Sequence, residues 1–207
     1  SMIDEVIKEV NEASVIESTA RYNQLLKANY DFVWSKINPD SLKGKKVLDI
    51  GTAYGVLAIA AAKSGAKVTA IDNTDRYTNR ELFKKHKIDF HLCDIEKSDI
   101  PAEDVDLVIF TEVLEHLNYN PLLPLQRIAK TLKAVGAPGK MILTTPRFET
   151  QGQAPGRWGQ FLDWRRIPAK GKTQVDEHTH HFSQPELFSL LTEAGFKILE
   201  IGECYFR

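Results

Sequence analysis

Three residues with acid–base or metal-binding side chains are spaced closely enough to act together. Glu112, Glu115 and His116 lie at positions i, i+3 and i+4, a spacing that brings side chains to one side of a helical turn. Two carboxylates and an imidazole can hold a divalent cation of the Mg²⁺, Mn²⁺ or Zn²⁺ type. Such a cation makes a bound hydroxyl easier to ionise. Further histidine ligands are available downstream at His178, His180 and His181.

Both histidine groups also have a simpler interpretation. His116 could line a pocket without taking part in chemistry, and the histidines near position 180 could cap a helix that begins after Ser183. The residues alone leave open whether His116 is a base, a metal ligand or a pocket wall.

Acidic side chains end three predicted strands. Asp49, Asp72 and Asp94 each follow a short apolar run, and the carboxyl ends of parallel strands form the ligand-binding edge of a doubly wound sheet. A carboxylate at Asp72 can accept hydrogen bonds from both ribose hydroxyls. Asp94 can accept one from an adenine amino group. Asp49 lies two residues before Gly51, where it would repel a pyrophosphate and favour a ligand that carries an ammonium and a sulfonium.

The small residues that follow Asp49 exclude two common nucleotide sites. A dinucleotide fingerprint requires glycine at positions 51, 53 and 56, but the chain has Gly51, Ala53 and Val56. A phosphate-binding P-loop requires Gly-Lys-Ser/Thr, which is absent. The turn still allows a close approach of backbone to ligand, because small side chains leave the main chain accessible.

The rest of the chain predicts the elements that would position these residues. Strands alternate with helices, a pattern that indicates an α/β doubly wound, Rossmann-like, mostly parallel sheet in a single domain of residues 1–207. Residues 147–181 interrupt this rhythm and predict a loop beside the substrate. The predicted helices are 3–37, 56–62, 75–86, 121–134 and 184–194, and the predicted strands are 47–50, 67–71, 88–92, 105–110, 140–144 and 196–201.

Composition narrows the class of protein. The 207 residues, with 43% hydrophobic and 27% charged residues, suit one globular domain. The net charge of −1 gives no general case for nucleic acid, and no apolar run is long enough to span a bilayer. The N-terminus lacks the pattern of a signal peptide, and Cys93 and Cys204 are widely separated. A cytoplasmic protein without a disulfide framework is therefore expected.

These motifs resemble class I S-adenosylmethionine (SAM)-dependent methyltransferases. The resemblance extends over residues 45–201 and includes the glycine turn, the acidic end of the second strand, the turn at 93–95 and the segment 111–117. The family usually has glycine where this chain has Ala53. The resemblance implies SAM as cofactor and a binding site made of Asp49, Gly51, Thr52, Ala53, Gly55, Asp72, Asn73, Asp94, Ile95, Thr111 and Glu112.

Two groups within that family are especially similar. Ubiquinone-pathway O-methyltransferases share the Glu-Val-Leu-Glu-His pattern at 112–116, and small-RNA 3′-terminal 2′-O-methyltransferases combine Glu-x-x-Glu-His with Thr-Thr-Pro and a downstream histidine segment. The second group implies a metal bound by Glu112, Glu115, His116 and His178 or His180, with His180 preferred. His116 and Glu115 are the expected catalytic residues.

The expected function is O-methylation of a small molecule, with divalent-metal assistance as an option. Methylation of an RNA 3′-terminal ribose is the alternative within the family. A non-catalytic SAM-binding protein and a dinucleotide-dependent oxidoreductase are the alternatives from other classes.

Three further segments bear on the cofactor or on partners. The loop residues 147–173 combine basic side chains with Trp158 and Trp164, which could stack a base or simply anchor the loop. Arg21 and Tyr22 could reach the carboxylate of the methionine part of SAM. Only one strand is predicted after the last helix, so the sheet edge could be completed by a second copy in a homodimer.

Overall fold

A five-stranded parallel sheet forms the centre of the computed structural model, which describes residues 1–161 and 163–203. The strand order is β3-β2-β1-β4-β5, and every neighbouring pair is parallel. Parallel strands joined by helical crossovers give the predicted α/β doubly wound fold, which is confirmed. The strands are β1 (Lys46–Ile50), β2 (Lys67–Asp72), β3 (Asp89–Leu92), β4 (Leu107–Thr111) and β5 (Lys140–Thr144).

Helices cover both faces of this sheet. The N-terminal helices and α3 pack together on one face, and α5 contacts α7 on the other. The α-helices are α1 (Met2–Ala13), α2 (Thr19–Lys36), α3 (Val56–Lys63), α4 (Arg80–Lys85), α5 (Leu122–Thr131), α6 (Phe148–Gln151) and α7 (Gln184–Glu193).

The alternation of side chains along each strand divides the core into two layers. In β4, Val108 and Phe110 join the cluster beside α5 and α7, whereas Ile109 joins the cluster beneath α1 and α3. Because successive strand side chains point to opposite faces, an almost wholly apolar strand is required where helices cover both.

The single N-terminal helix predicted over 3–37 is wrong. The structure has two helices, because the chain becomes extended at Ser14 after α1. The Ser14 hydroxyl accepts a hydrogen bond from the Ile16 amide at 3.1 Å and lies 2.6 Å from the Thr19 hydroxyl. Local bonds of this kind compete with the helix ladder and end it. The helix predicted over 75–86 is likewise shorter, since Asn79 caps α4 through the Leu82 amide.

The final strand predicted over 196–201 is also wrong. Among the described residues 196–203 no strand is present. Phe196 and Ile198 pack against the second core cluster, while Leu199 is 69% exposed and Ile201 51% exposed. A strand needs a hydrogen-bonded neighbour, and no described residue pairs with this segment. A possible partner strand at 203–207 lies outside the described residues from position 204 onward.

The sheet order reverses between β1 and β4, and this switch point lies at their carboxyl ends. Ile50 of β1 is paired with Phe110 of β4 there, and Thr111 is paired with Thr144 of β5. Residues that follow these strands are therefore brought to one crevice. Within the described part of the chain, no helix combines the length and apolar character needed to cross a membrane.

Candidate active site

The turn after β1 has a backbone that few residues tolerate. Gly51 and Gly55 have φ of 70° and 81°, in the left-handed region that glycine adopts without steric cost. A Cβ atom at Gly51 would lie 2.3 Å from Val113 Cγ2. Ala53 has φ of 47°, which explains why glycine is usual there in the resembling family. The turn is fixed beside β2 because the Gly51 and Thr52 amides donate to the Ile71 carbonyl.

Asp49 is almost completely buried at the end of β1, with 4% of its surface exposed. The Thr52 hydroxyl donates to its Oδ2 at 2.7 Å. Burial, with a smaller contribution from nearby Asp72, raises the pKa of Asp49 to about 7. A carboxylate that is disfavoured in this way gains from a cationic ligand nearby.

Asp72, at the end of β2, is held by backbone amides. Its Oδ2 accepts from Ala53 at 2.9 Å, and its Oδ1 accepts from Thr74 at 3.2 Å. Burial raises its pKa. Each carboxylate oxygen can accept a second bond, so Asp72 still has acceptor capacity for ribose hydroxyls. The side chain of the neighbouring expected residue, Asn73, is exposed.

Asp94 follows β3 and carries a contact that the sequence did not indicate. Its Oδ2 accepts a hydrogen bond at 3.2 Å from the Gln174 amide, which belongs to the long loop. Lys97 donates to the Oε1 atom of Gln174 at 3.1 Å. Ile95, the next expected site residue, is buried in the second core cluster. The loop predicted beside the substrate therefore also reaches the expected adenine end of the cofactor site.

A row of tyrosines borders the glycine turn. Tyr22 of α2 contacts Tyr54 with ring centroids 4.9 Å apart, and Tyr54 contacts Tyr77 at 5.3 Å. Burial, with smaller contributions from nearby groups that include Asp72, raises the pKa of Tyr22 to about 12. Helix α2 thus covers this side of the turn, whereas Arg21 is exposed.

Glu112 follows Thr111 of β4 in a left-handed conformation, with φ of 53°. Its Oε2 accepts a hydrogen bond from the Thr144 hydroxyl at 3.2 Å, and Asn29 of α2 donates to that hydroxyl oxygen at 3.0 Å. Thr144 has only one hydroxyl proton. Because its oxygen accepts from Asn29, its proton is directed to Glu112. Burial raises the pKa of Glu112.

Glu115 is buried in the short 3-10 turn formed by Leu114–His116. Thr145 donates to its Oε2 at 3.0 Å, so consecutive threonines each hold one of the two glutamates. Burial and the negative charge of Glu112 raise the pKa of Glu115 to about 8. A buried carboxylate beside a second one is expected to be stabilised by a cation.

His116 and His178 complete a cluster with Glu115. One potential ligand atom from each of the three residues lies within 4.8 Å of the others, and the histidine ring centroids are 4.7 Å apart. His116 Nδ1 is buried without a hydrogen-bond partner among the described residues; its nearest opposite charge is Asp176 Oδ1 at 3.8 Å. A buried polar atom of this kind is costly. Burial lowers the pKa of His116, and it lowers that of His178 to about 4.

Two of the expected metal ligands are not in this cluster. His180 is placed elsewhere: its Nε2 lies 2.7 Å from Glu186 Oε1, and its Nδ1 lies 3.3 Å from the Trp158 carbonyl. Glu186 belongs to the capping box of α7, so His180 takes the structural role considered as the simpler alternative. Glu112 lies beside Glu115 but outside the group of three.

The tryptophans of the long loop act as packing anchors. Trp164 is 2% exposed and donates from Nε1 to the Ser189 hydroxyl at 3.0 Å. Trp158 donates from Nε1 to the Asn118 carbonyl at 2.5 Å and stacks on Phe161. The indole of Trp164, buried in this way, is not free to stack on a nucleic-acid base, whereas Trp158 is only partly buried.

Comparison with known proteins gives the family. A family model described as a methyltransferase domain matches residues 19–201. The chain belongs to the methyltransferase domain family. The expectation of a class I SAM-dependent methyltransferase is thus confirmed at the level of family and fold.

Individual relatives agree with this assignment. This chain is 35% identical over 178 positions to a ubiquinone biosynthesis O-methyltransferase of Coxiella burnetii. The match covers 81% of this chain and 70% of the relative. The protein of the same name from Actinobacillus pleuropneumoniae is 36% identical over 117 positions, covering 51% and 48%. The chain therefore spans about half the length of that relative.

A solved structure shows the same fold at lower sequence identity. The SAM-bound magnesium protoporphyrin IX methyltransferase of Synechocystis superposes with a TM-score of 0.59 at 18% identity, covering 94% of this chain and 80% of the other.

Two residues that contact the site, Asn29 and Gln174, have no signal in the sequence. Asn29 lies inside a helix and Gln174 inside an irregular loop, and neither belongs to a motif. Their contacts join segments far apart in the chain, so no local pattern could have indicated them.

Proposed function

We propose that this protein transfers the methyl group of SAM to a hydroxyl oxygen of a small molecule, with assistance from a divalent cation. Two curated relatives at 35–36% identity are named ubiquinone biosynthesis O-methyltransferase, which supports oxygen as the acceptor. Residues 112–116, which carry the Glu-Val-Leu-Glu-His pattern, follow β4, the strand that pairs with β1 beside the glycine turn.

The observation that carries this proposal is the cluster of Glu115, His116 and His178. It lies beside the glycine turn, because Val113 packs against Gly51 in the same connection that leads to Glu115. A hydroxyl is a poor nucleophile until its proton is lost, so an O-methyltransferase needs a base or a Lewis acid next to the methyl donor. The cluster supplies groups suited to either role.

The residues present fit a divalent cation. The buried Nδ1 of His116 has no partner among the described residues, and the carboxyl of Glu115 is buried beside Glu112. Two imidazoles and one carboxylate form a common zinc donor set with an open position. Mg²⁺ prefers oxygen ligands, so we favour Zn²⁺ or Mn²⁺, held by Glu115, His116 and His178.

In this proposal the residues of the site have separate roles. Asp49, Asp72 and Asp94 bind the ammonium, ribose and adenine parts of SAM, which supplies an electrophilic methyl group. A cation at the cluster supplies Lewis acidity that favours ionisation of a hydroxyl. Burial keeps His116 neutral at pH 7 because it lowers the pKa. Its lone pair is therefore available to a cation, or to a hydroxyl proton if no cation is bound. Thr145 orients Glu115 through its hydroxyl.

The direct test is transfer of labelled methyl from SAM to a panel of catechols and to short RNA ends. We expect methylated catechols, and we expect His116→Gln to reduce the rate by about 10²–10⁴-fold, the range for loss of an acid–base or metal-activating group. His91→Gln is the matched control, because His91 lies half-exposed on β3. Absence of both methyl transfer and thermal stabilisation by SAM would overturn the proposal.

The same assay separates the alternatives. A chelator should abolish transfer and Zn²⁺ or Mn²⁺ should restore it; full activity in chelator would contradict the metal and leave His116 as the base. Methylation of RNA ends instead of catechols would contradict the small-molecule acceptor. The inward packing of Trp164 gives the RNA alternative no support. A homodimer and a cytoplasmic location stay predictions.

A further inference from the structure

A chain of hydrogen bonds leads from a backbone carbonyl to His178. The Gly152 carbonyl lies 2.9 Å from His181 Nδ1, and His181 Nε2 lies 2.9 Å from His178 Nδ1. His181 is 7% exposed, so water competes little for its ring nitrogens. Gly152 lies outside the family motifs, and His181 occupies a variable position of the downstream histidine segment at 178–182.

The carbonyl at one end fixes the protons along this chain. A carbonyl oxygen can only accept, so His181 Nδ1 must carry a proton. In a neutral imidazole the other nitrogen is then an acceptor, so the proton between the two rings belongs to His178 Nδ1. His178 is left with its only free lone pair on Nε2. A neutral imidazole with one nitrogen bare is the form that binds a metal ion or accepts a proton.

We propose that His181 is a positioning residue, which holds His178 in the Nδ1–H tautomer and thereby presents the Nε2 lone pair to Glu115 and His116. The proposal rests on the function proposed above for that cluster. Without His181, the His178 ring could rotate about its side-chain bonds or adopt the other tautomer, in which Nε2 carries the proton. In this role His181 acts through His178.

The local fold explains how the carbonyl is placed. The amide of Phe148 donates to the Phe182 carbonyl, which brings the start of α6 beside the histidine segment. Helix α6 then ends at Gly152, whose φ of 69° turns the chain. Apart from its chain neighbours, no described residue has a heavy atom within 4 Å of a Cβ placed at Gly152, so glycine is required there by backbone conformation and not by space. The segment 148–152 thus serves to orient His181.

The first test reads the tautomer in metal-free protein. ¹⁵N chemical shifts and long-range ¹H–¹⁵N couplings of the imidazoles distinguish a protonated from a bare ring nitrogen, and His178→Gln assigns the His178 signals. We expect a proton on Nδ1 and none on Nε2 of His178 at pH 7.5. In His181→Phe we expect either the opposite pattern or a mixture of the two tautomers. A proton on Nε2 of His178 in the unsubstituted protein would overturn the proposal.

The second test measures binding of Zn²⁺ alone by calorimetry. Loss of a residue that orients a metal ligand typically weakens affinity by about 10–100-fold, and we expect that loss in His181→Phe. His181→Gln should retain more affinity, because its side-chain oxygen can accept from His178 Nδ1. His91→Phe is the control and should bind as the unsubstituted protein does. Equal affinity in a folded His181→Phe would refute the role of His181.

The two tests separate this inference from the proposed function. If the unsubstituted protein binds no Zn²⁺ or Mn²⁺, the metal-assisted function fails, whereas the tautomer measurement still decides the inference by itself. If His181→Phe does not fold, the tautomer in the unsubstituted protein and in His181→Gln provides the decision.

Discussion

Replacement of Gly51 by alanine tests the geometry of the glycine turn after β1. The new side chain would carry two costs. A left-handed conformation costs an L-residue about 1–2 kcal/mol, offset by about 0.4–1 kcal/mol because alanine restricts the unfolded chain. The Cβ atom would also lie 2.3 Å from Val113 Cγ2, and overpacking of this kind costs about 1–3 kcal/mol. We therefore expect Gly51→Ala to destabilise the protein by about 1–5 kcal/mol.

A matched glycine separates these two costs. Gly44 also has a left-handed φ, of 75°, but in the described part of the chain nothing beyond its two neighbours lies within 4 Å of its Cβ position. Gly44→Ala should therefore show only the conformational cost. Urea unfolding measures the difference, and in a thermal scan each kcal/mol should lower the Tm by about 2–4 °C for a chain of this size. Val113→Ala should restore part of the stability lost in Gly51→Ala.

Two results would refute this reasoning. Equal destabilisation by Gly51→Ala and Gly44→Ala would show that the contact with Val113 costs nothing. A Val113→Ala substitution that adds to the loss as an independent change would show that the two side chains do not compete for space. SAM affinity, measured on the same variants, should fall for Gly51→Ala and not for Gly44→Ala.

Three further changes test other parts of the structure. Asp49→Asn should stabilise the SAM-free protein increasingly from pH 4 to pH 7, by about 1.4 kcal/mol per pH unit. The folded pKa of about 7 exceeds the ordinary 3.8, so ionisation of Asp49 opposes folding in that window. Unfolding measured against pH checks this, and SAM affinity should fall. Glu9→Gln should destabilise the protein by up to about 1 kcal/mol above pH 4.5, and by progressively less as the pH falls toward 2. The reason is that the hydrogen bond from Lys85 lowers the pKa of Glu9 in the folded protein from 4.5 to about 2. A pH-independent effect in urea unfolding would contradict this. Trp164→Ala should cost about 3–5 kcal/mol and Trp164→Phe much less, apart from the bond to Ser189; unchanged stability in Trp164→Ala would contradict the anchoring role.

The sequence determined the fold class and the edge of the sheet at which the cofactor is expected to bind. Alternation of apolar strands with amphipathic helices requires a parallel sheet covered on both faces. Parallel strands present their carboxyl ends at one edge, so Asp49, Asp72 and Glu112 had to converge once their strands were recognised. The capping box at Ser183 was equally readable, because its hydrogen bonds join residues three positions apart.

The predictions that were wrong concern segments whose secondary structure depends on neighbouring segments and not on local pattern alone. Residues 196–201 have strand-forming composition, yet no described segment lies beside them to complete a ladder. Residues 3–37 have helical periodicity, yet bonds around Ser14 divide the helix. In each case the propensity was present and the tertiary arrangement decided the outcome.

The same distinction holds within the candidate site. Residue types and spacing indicated that Glu115 and His116 act together with a downstream histidine. Only the folded chain placed His178 beside Glu115 and His116, and His180 beside Glu186. The bonds from Asn29 to Thr144 and from Gln174 to Asp94 are likewise tertiary. Periodicity and motifs fix what a residue can do and which element carries it, whereas contacts between distant segments depend on how those elements pack.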